Sequence, residues 1–89
     1  MDGDFVDLAA RRRRLRWRCR RGLLENDLLL TRFLDRFEEN LSEEMIYGLD
    51  QLLDLSDNAL LDLVLARRQP EGELQDLRVV AALDALRSI

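Results

Sequence analysis

Apolar residues recur along this chain at the spacing of helices and almost nowhere at the spacing of strands. In residues 23–38, Leu30, Phe33, Leu34 and Phe37 follow the i, i+3, i+4, i+7 rule that gathers side chains on one helical face. The pattern predicts a helix from about Leu23 to Glu38. Glu25 and Asp27 fall in its first turns, where carboxylates oppose the positive end of the helix dipole. Asn40-Leu41-Ser42 is the next break. Ser42 is a good N-cap for a third helix with Glu43 and Glu44 in its first turn and a buried face marked by Met45, Leu49, Leu52 and Leu53. Ser56-Asp57 caps a short fourth helix carrying Leu60, Leu61, Val64 and Leu65. Gln69-Pro70-Glu71-Gly72 reads as a corner, with Pro70 suited to the first position of the next helix. The last helix carries Leu74, Leu77, Val80, Ala81 and Leu86. No useful length of chain alternates with period two, and no internal repeat is evident.

The first helix, predicted from about Asp4 to Arg20, is patterned differently. Residues set about 100° apart gather Leu8, Leu15 and Cys19 into a narrow stripe that no Arg enters. A second gap on the opposite side holds Val6, Ala10 and Trp17, and Arg side chains fill the space between. Two packings are compatible with this. Either the Leu stripe faces a body while Trp17, flanked by Arg13 and Arg21, faces elsewhere, or both gaps are buried, as a large aromatic in a small bundle commonly is. Gly22 ends the pattern; lacking a Cβ, it suits a helix stop or a tight corner. The expected fold is all-α: a compact bundle of about five short helices with short connections. The expected organisation is a single domain over residues 1–89, with residues 1–4 a loose N-terminal segment.

Length and composition support this and narrow the chemistry. A chain of 89 residues makes one domain with a modest core; it buries roughly 60–65% of its unfolded surface, which leaves little room for a deep active-site cavity. The single cysteine forms no intrachain disulfide, so a reducing compartment fits. No apolar run approaches the roughly 18–20 residues of a membrane span, and the acidic start has no apolar signal region, so a cytoplasmic location is expected.

Charge is segregated. Eight Arg crowd into residues 9–21 with no acid among them, while the first eight residues hold three acids and residues 22–89 hold fifteen acids and six Arg. A basic block on an acidic body implies either a negatively charged partner or internal pairing. The chain has no Lys at all, so the block's choice of Arg says nothing special about the block. Catalytic groups are scarce. There is no His to act as general base or metal ligand and no Lys for Schiff-base chemistry. One Cys without His cannot build a standard zinc site, and the glycines are too isolated for a phosphate loop. Cys19 falls on the Leu stripe and is expected buried and inert. The chain is therefore read as no enzyme, with no catalytic residues, no metal and no resident cofactor. Three classes remain: nucleic-acid binding through an Arg-rich helix with a stacking Trp, a protein-interaction module using Arg and Trp as anchors, and internal pairing of the Arg block with the body's own acids.

Residues 14–27, Arg-Leu-Arg-Trp-Arg-Cys-Arg-Arg-Gly-Leu-Leu-Glu-Asn-Asp, resemble the signature of the succinate dehydrogenase flavinylation factors, the SdhE/YgfY family. The family's short motif Arg-Gly-x-x-Glu is matched by Arg21, Gly22 and Glu25, supported by Trp17 five positions before the glycine, the doubled Arg20-Arg21, and Asp27 two positions after Glu25. The likeness continues through Phe33 and Phe37, Leu41-Ser42, Leu52-Leu53, Ser56-Asp57 and the Arg67 to Pro70 corner, covering about residues 11–86. One departure is Leu63, where many members carry a Trp.

The resemblance implies a small helical factor that binds the flavoprotein subunit of succinate dehydrogenase or fumarate reductase before the complex assembles. Such a factor promotes covalent attachment of FAD to a His of that subunit. The chemistry belongs to the flavoprotein, and the factor holds it in a competent conformation. The partner-binding residues implied are Arg21, Gly22 and Glu25, then Trp17, Arg20 and Asp27. Gly22 would let the backbone turn and allow close approach, Arg21 would donate paired hydrogen bonds, and Glu25 would accept from a partner donor or orient an Arg. No stable FAD binding is expected, since the chain shows no dinucleotide fingerprint. An antitoxin role toward a small membrane protein, given to some members, is the alternative, and nucleic-acid binding stands third.

Overall fold

Ser42, Ser56 and Asp76 each start a helix by the same device. The Ser42 hydroxyl accepts from the Met45 N–H at 3.1 Å, the Ser56 hydroxyl from the Ala59 N–H at 3.2 Å, and the Asp76 carboxylate from the Arg78 N–H at 2.8 Å. Each satisfies one of the backbone donors that a helix start leaves unpaired. These caps organise a computed structural model that describes residues 8–19 and 23–89; the expected loose segment, residues 1–4, lies outside them. Five α-helices occur in order: α1 (Leu8–Arg18), α2 (Leu24–Phe37), α3 (Glu43–Leu53), α4 (Asp57–Val64) and α5 (Leu77–Arg87). Short 3-10 turns at Glu38–Asn40 and Gly72–Gln75 complete the set, and there is no strand among the described residues. The all-α bundle expected from the hydrophobic pattern is the fold.

α3 and α5 form the central pair. Gly48 makes their close crossing possible: a Cβ at this position would lie 2.1 Å from the Arg78 carbonyl oxygen and 2.9 Å from the Ala82 Cβ. The same crossing is tied at its edge. Asp76 accepts from the Arg78 side chain at 3.0 and 2.9 Å, and the Arg78 guanidinium lies 3.6 Å from the centroid of the Tyr47 ring. The bonds from Arg78 lower the Asp76 carboxyl to about 2, below the ordinary range.

α2 buries Leu30, Phe33 and Leu34 as its spacing predicts, while Phe37 lies at the rim with its ring tilted against Phe33 at 5.1 Å. In α3, Leu49, Leu52 and Leu53 are buried, but Ile46 takes the place expected for Met45, which is half-buried. In α4 the buried residues are Leu60 and Leu63, not Leu61, Val64 and Leu65. In α5 they are Val79, Ala82, Leu83 and Leu86; Leu77 is 85% exposed and Ala81 is exposed, against expectation. α5 is apolar on nearly every side, so periodicity alone does not choose its buried register. In α4, Asp57, Asn58 and Asp62 share a sector with Leu61 and Leu65, which leaves Leu60 and Leu63 to face the core.

The corner after α4 also differs. Pro70 does not start a helix; the next turn begins at Gly72, whose φ is +57°. α4 itself stops at Ala66, in the left-handed region at φ 61°. The Ala66 N–H returns to the Leu63 carbonyl at 3.1 Å and the Arg67 N–H to the Asp62 carbonyl at 2.8 Å, the paired bonds of a Schellman stop. The Arg87 guanidinium adds two bonds to the Leu63 carbonyl, at 3.0 and 2.5 Å, and so pins α5 to this end of α4.

Candidate functional site

α1 presents its Leu stripe inward: Leu15 and Cys19 are buried and Leu8 packs against the core. Of the two packings compatible with the sequence, Trp17 adopts the outward one and is 72% exposed. Ala10 is half-buried, while Val6 lies outside the described residues.

The Arg block divides by direction. Arg12 donates to the Leu41 carbonyl at 3.2 and 2.6 Å. Arg16 bridges Glu38 at 2.7 Å and Asp35 at 3.0 Å. Arg18 bridges Asp50 at 2.7 Å and Asp54 at 2.6 Å. Arg12 thus meets the chain just before α3 and Arg18 meets the end of α3, so α1 and α3 run side by side in one direction. The hydrogen bond to Glu38 outweighs partial desolvation and, with that to Asp35, raises the Arg16 pKa above its ordinary value. Arg13 and Arg14 remain exposed. Internal pairing, one of the three readings of the block, therefore accounts for Arg16 and Arg18, and Arg12 serves as a carbonyl clamp.

The motif residues lie where α1 gives way to α2. Arg20, Arg21 and Gly22 lie outside the described residues. Glu25 is exposed in the first turn of α2, and Asp27 is half-buried beside it. Leu24 is 65% exposed and Leu28, one turn on, is exposed on the same face. Exposed large apolar residues of this kind mark interaction surfaces when they gather. Sequence reasoning misses both, although their place off the Leu30–Phe33–Phe37 stripe is the available signal.

Asn26, between the two acids, is the one fully buried polar residue among those described, at 0% exposure. Its amide nitrogen donates to the Asp57 carbonyl at 2.9 Å, and its Oδ1 has no partner among the described residues. An unpaired buried acceptor costs about 1–3 kcal/mol. Sequence reasoning passes over this residue too, though it stands one turn before Leu30 on the buried stripe.

Two grooves lie at the other end of α2. One, of about 220 Å³, is lined by Phe33, Phe37, Leu41 and Met45 among others; the second, of about 310 Å³, includes Arg16, Asp35 and Glu38. Both are remote from Glu25, since a 14-residue helix is about 20 Å long. The first turn of α2, whose N–H groups would face a pyrophosphate, carries Glu25 and Asp27. Among the described residues no cluster of side chains could hold a metal ion, and no helix is long and apolar enough to cross a membrane.

Known protein sequences match this chain along most of its length. The family described as flavinator of succinate dehydrogenase, Sdh5, matches residues 13–87. A Ralstonia nicotianae protein described as FAD assembly factor SdhE is 52% identical over 79 residues, 89% of this chain and 83% of that protein. Proteins of the same description from Legionella pneumophila and Coxiella burnetii are 39% and 41% identical, over 72% and 67% of this chain and 81% and 73% of theirs. No solved structure matches the chain. With the family match over residues 13–87 and these relatives in agreement, the chain belongs to the family of succinate dehydrogenase flavinators.

Proposed function

We propose that this chain is an FAD assembly factor. It binds the flavoprotein subunit of succinate dehydrogenase before the complex assembles and promotes covalent attachment of FAD to that subunit, and the fumarate reductase flavoprotein is a further client. The observation that carries this reading is the 52% identity to an FAD assembly factor over nearly the whole chain. The role is that of a chaperone acting in the cytoplasm rather than a catalyst. FAD is cargo of the partner, whose own groups form the flavin bond. This chain supplies the partner-binding residues: Arg20, Arg21 and Gly22 in the motif, Glu25 and Asp27 at the start of α2, and Trp17 on α1. The exposure of Trp17 and of Glu25 supports that assignment: Trp is among the side chains that dominate interface energies, and an exposed carboxylate is open to a partner donor. Nucleic-acid binding is disfavoured by the inward commitment of Arg12, Arg16 and Arg18 and by the acidic body.

Co-expression with the host's succinate dehydrogenase flavoprotein, read by in-gel flavin fluorescence, tests the reading. Covalent flavin is expected to rise with the unsubstituted chain, and to fall to background with Gly22→Arg or Glu25→Ala while helical circular dichroism persists. A rise indifferent to both substitutions, or no rise at all, overturns it.

A further inference from the structure

The first turn of α2 lacks the cap that starts α3, α4 and α5. Its N-cap residue, Leu23, offers no side-chain hydrogen bond, whereas Ser42, Ser56 and Asp76 all do. What this turn has instead is Asn26. Its amide nitrogen reaches 31 residues along the chain to the carbonyl of Asp57, the first residue of α4. The side chain is fully enclosed, and its oxygen is left without a partner among the described residues. An apolar side chain of the same size would fill this space without orphaning an acceptor, so packing alone does not call for an amide. The bond supplies direction. Successive helical residues point about 100° apart, so a side chain pinned at position 26 fixes where its neighbours on either side must aim. Those neighbours are Glu25 and Asp27.

We propose that Asn26 is a positioning residue of the docking edge. Through its bond to the Asp57 carbonyl it sets the rotation of the first turn of α2, and with it the direction in which Glu25 and Asp27 present their carboxylates to the flavoprotein. The inference rests on the proposed function and adds a residue that acts through another rather than by touching the partner.

The test is a double-mutant cycle on the full chain: unsubstituted, Asn26→Leu, Glu25→Ala, and both together. Flavoprotein affinity is measured by calorimetric titration, and amide hydrogen exchange at residues 24–27 is read in the free chain. Asn26→Leu is expected to keep its helicity, to speed exchange in the first turn of α2, and to weaken binding about tenfold. In the Glu25→Ala background the same change is expected to cost clearly less than in the unsubstituted chain, the remainder being the share that acts through Asp27. A purely structural role predicts additive losses, which would overturn the proposal. So would unchanged affinity of Asn26→Leu alongside a weakened Glu25→Ala, an outcome that leaves the proposed function standing. Absence of binding by the unsubstituted chain overturns the function and this inference together. Asn26→Ala enters the same cycle if the Leu variant loses helicity.

Discussion

Gly48 and Asp76 show how single residues set the geometry of the α3–α5 pair. A methyl group at Gly48 meets backbone, which cannot swing aside as a side chain can. Gly48→Ala is therefore expected to destabilise the fold by about 1–3 kcal/mol, despite the better helix propensity of Ala. Urea denaturation with an unchanged slope would show this as a lower midpoint. Asp76 gives a pH dependence of definite sign. Its carboxyl is held at about 2 in the folded chain, below the ordinary value of 3.8, chiefly by the bonds from Arg78. The unfolded chain therefore binds more protons between these values, and stability must rise with pH through that window. The contribution is fully present above the unfolded value and is lost as pH falls toward about 2. Asn also caps helices but carries no charge. The stability difference between the unsubstituted chain and Asp76→Asn is expected to shrink as pH falls from about 4 to about 2, as thermal melts along that range would show.

At the scale of elements, α1 is held in two ways that experiment can separate. Leu15 and Cys19 enter the core, while Arg16 and Arg18 pair with acids on the other elements. These pairs are partly exposed, and such pairs contribute about 0.2–1 kcal/mol each, screened by salt. Losing a buried Leu costs about 2–5 kcal/mol. Leu15→Ala is thus expected to lower the denaturation midpoint far more than Arg18→Ala, and only the Arg18 effect is expected to fade in about 1 M salt.

The sequence makes α1's stripe legible because Arg brackets it so tightly. It does not show the pairings, since Arg16 and Arg18 meet acids 19 to 36 residues away, a separation no local pattern reports. Helix starts at Ser42 and Ser56 are legible because a cap is a local bond. The buried face of α5 is not, because Leu, Val and Ala surround that helix and only the partner surface selects among them; in α4 the available signal is the polar sector of Asp57, Asn58 and Asp62 opposite Leu60 and Leu63. Asn26 escapes for a related reason: a polar residue on an apolar stripe reads as an interruption until its distant partner is known.

For the molecule as a whole, the segregation of charge in the sequence becomes a partial neutralisation in the fold. The Arg block has the composition of a polyanion-binding arm, yet three of its members serve to seat α1 on the body. Among the described residues, what remains exposed there is narrower: Arg13 and Arg14, Trp17, and the start of α2. The motif points in the sequence to the proposed docking edge and gives no sign of the exposed Leu24 and Leu28 next to it.

Trp17 is the only tryptophan in the chain, and it stands in water rather than in the core. The intrinsic fluorescence of this protein is therefore a report on its edge and not on its interior. Emission is expected to be red-shifted already in the native state and to change little in urea, even as circular dichroism tracks unfolding. Docking of a flavoprotein over this helix would exclude water from the indole and move the emission to the blue. A large urea-induced red shift, or emission unmoved by a flavoprotein that demonstrably binds, would contradict this. The residue that is silent about stability is then the natural optical probe of assembly, with no label attached.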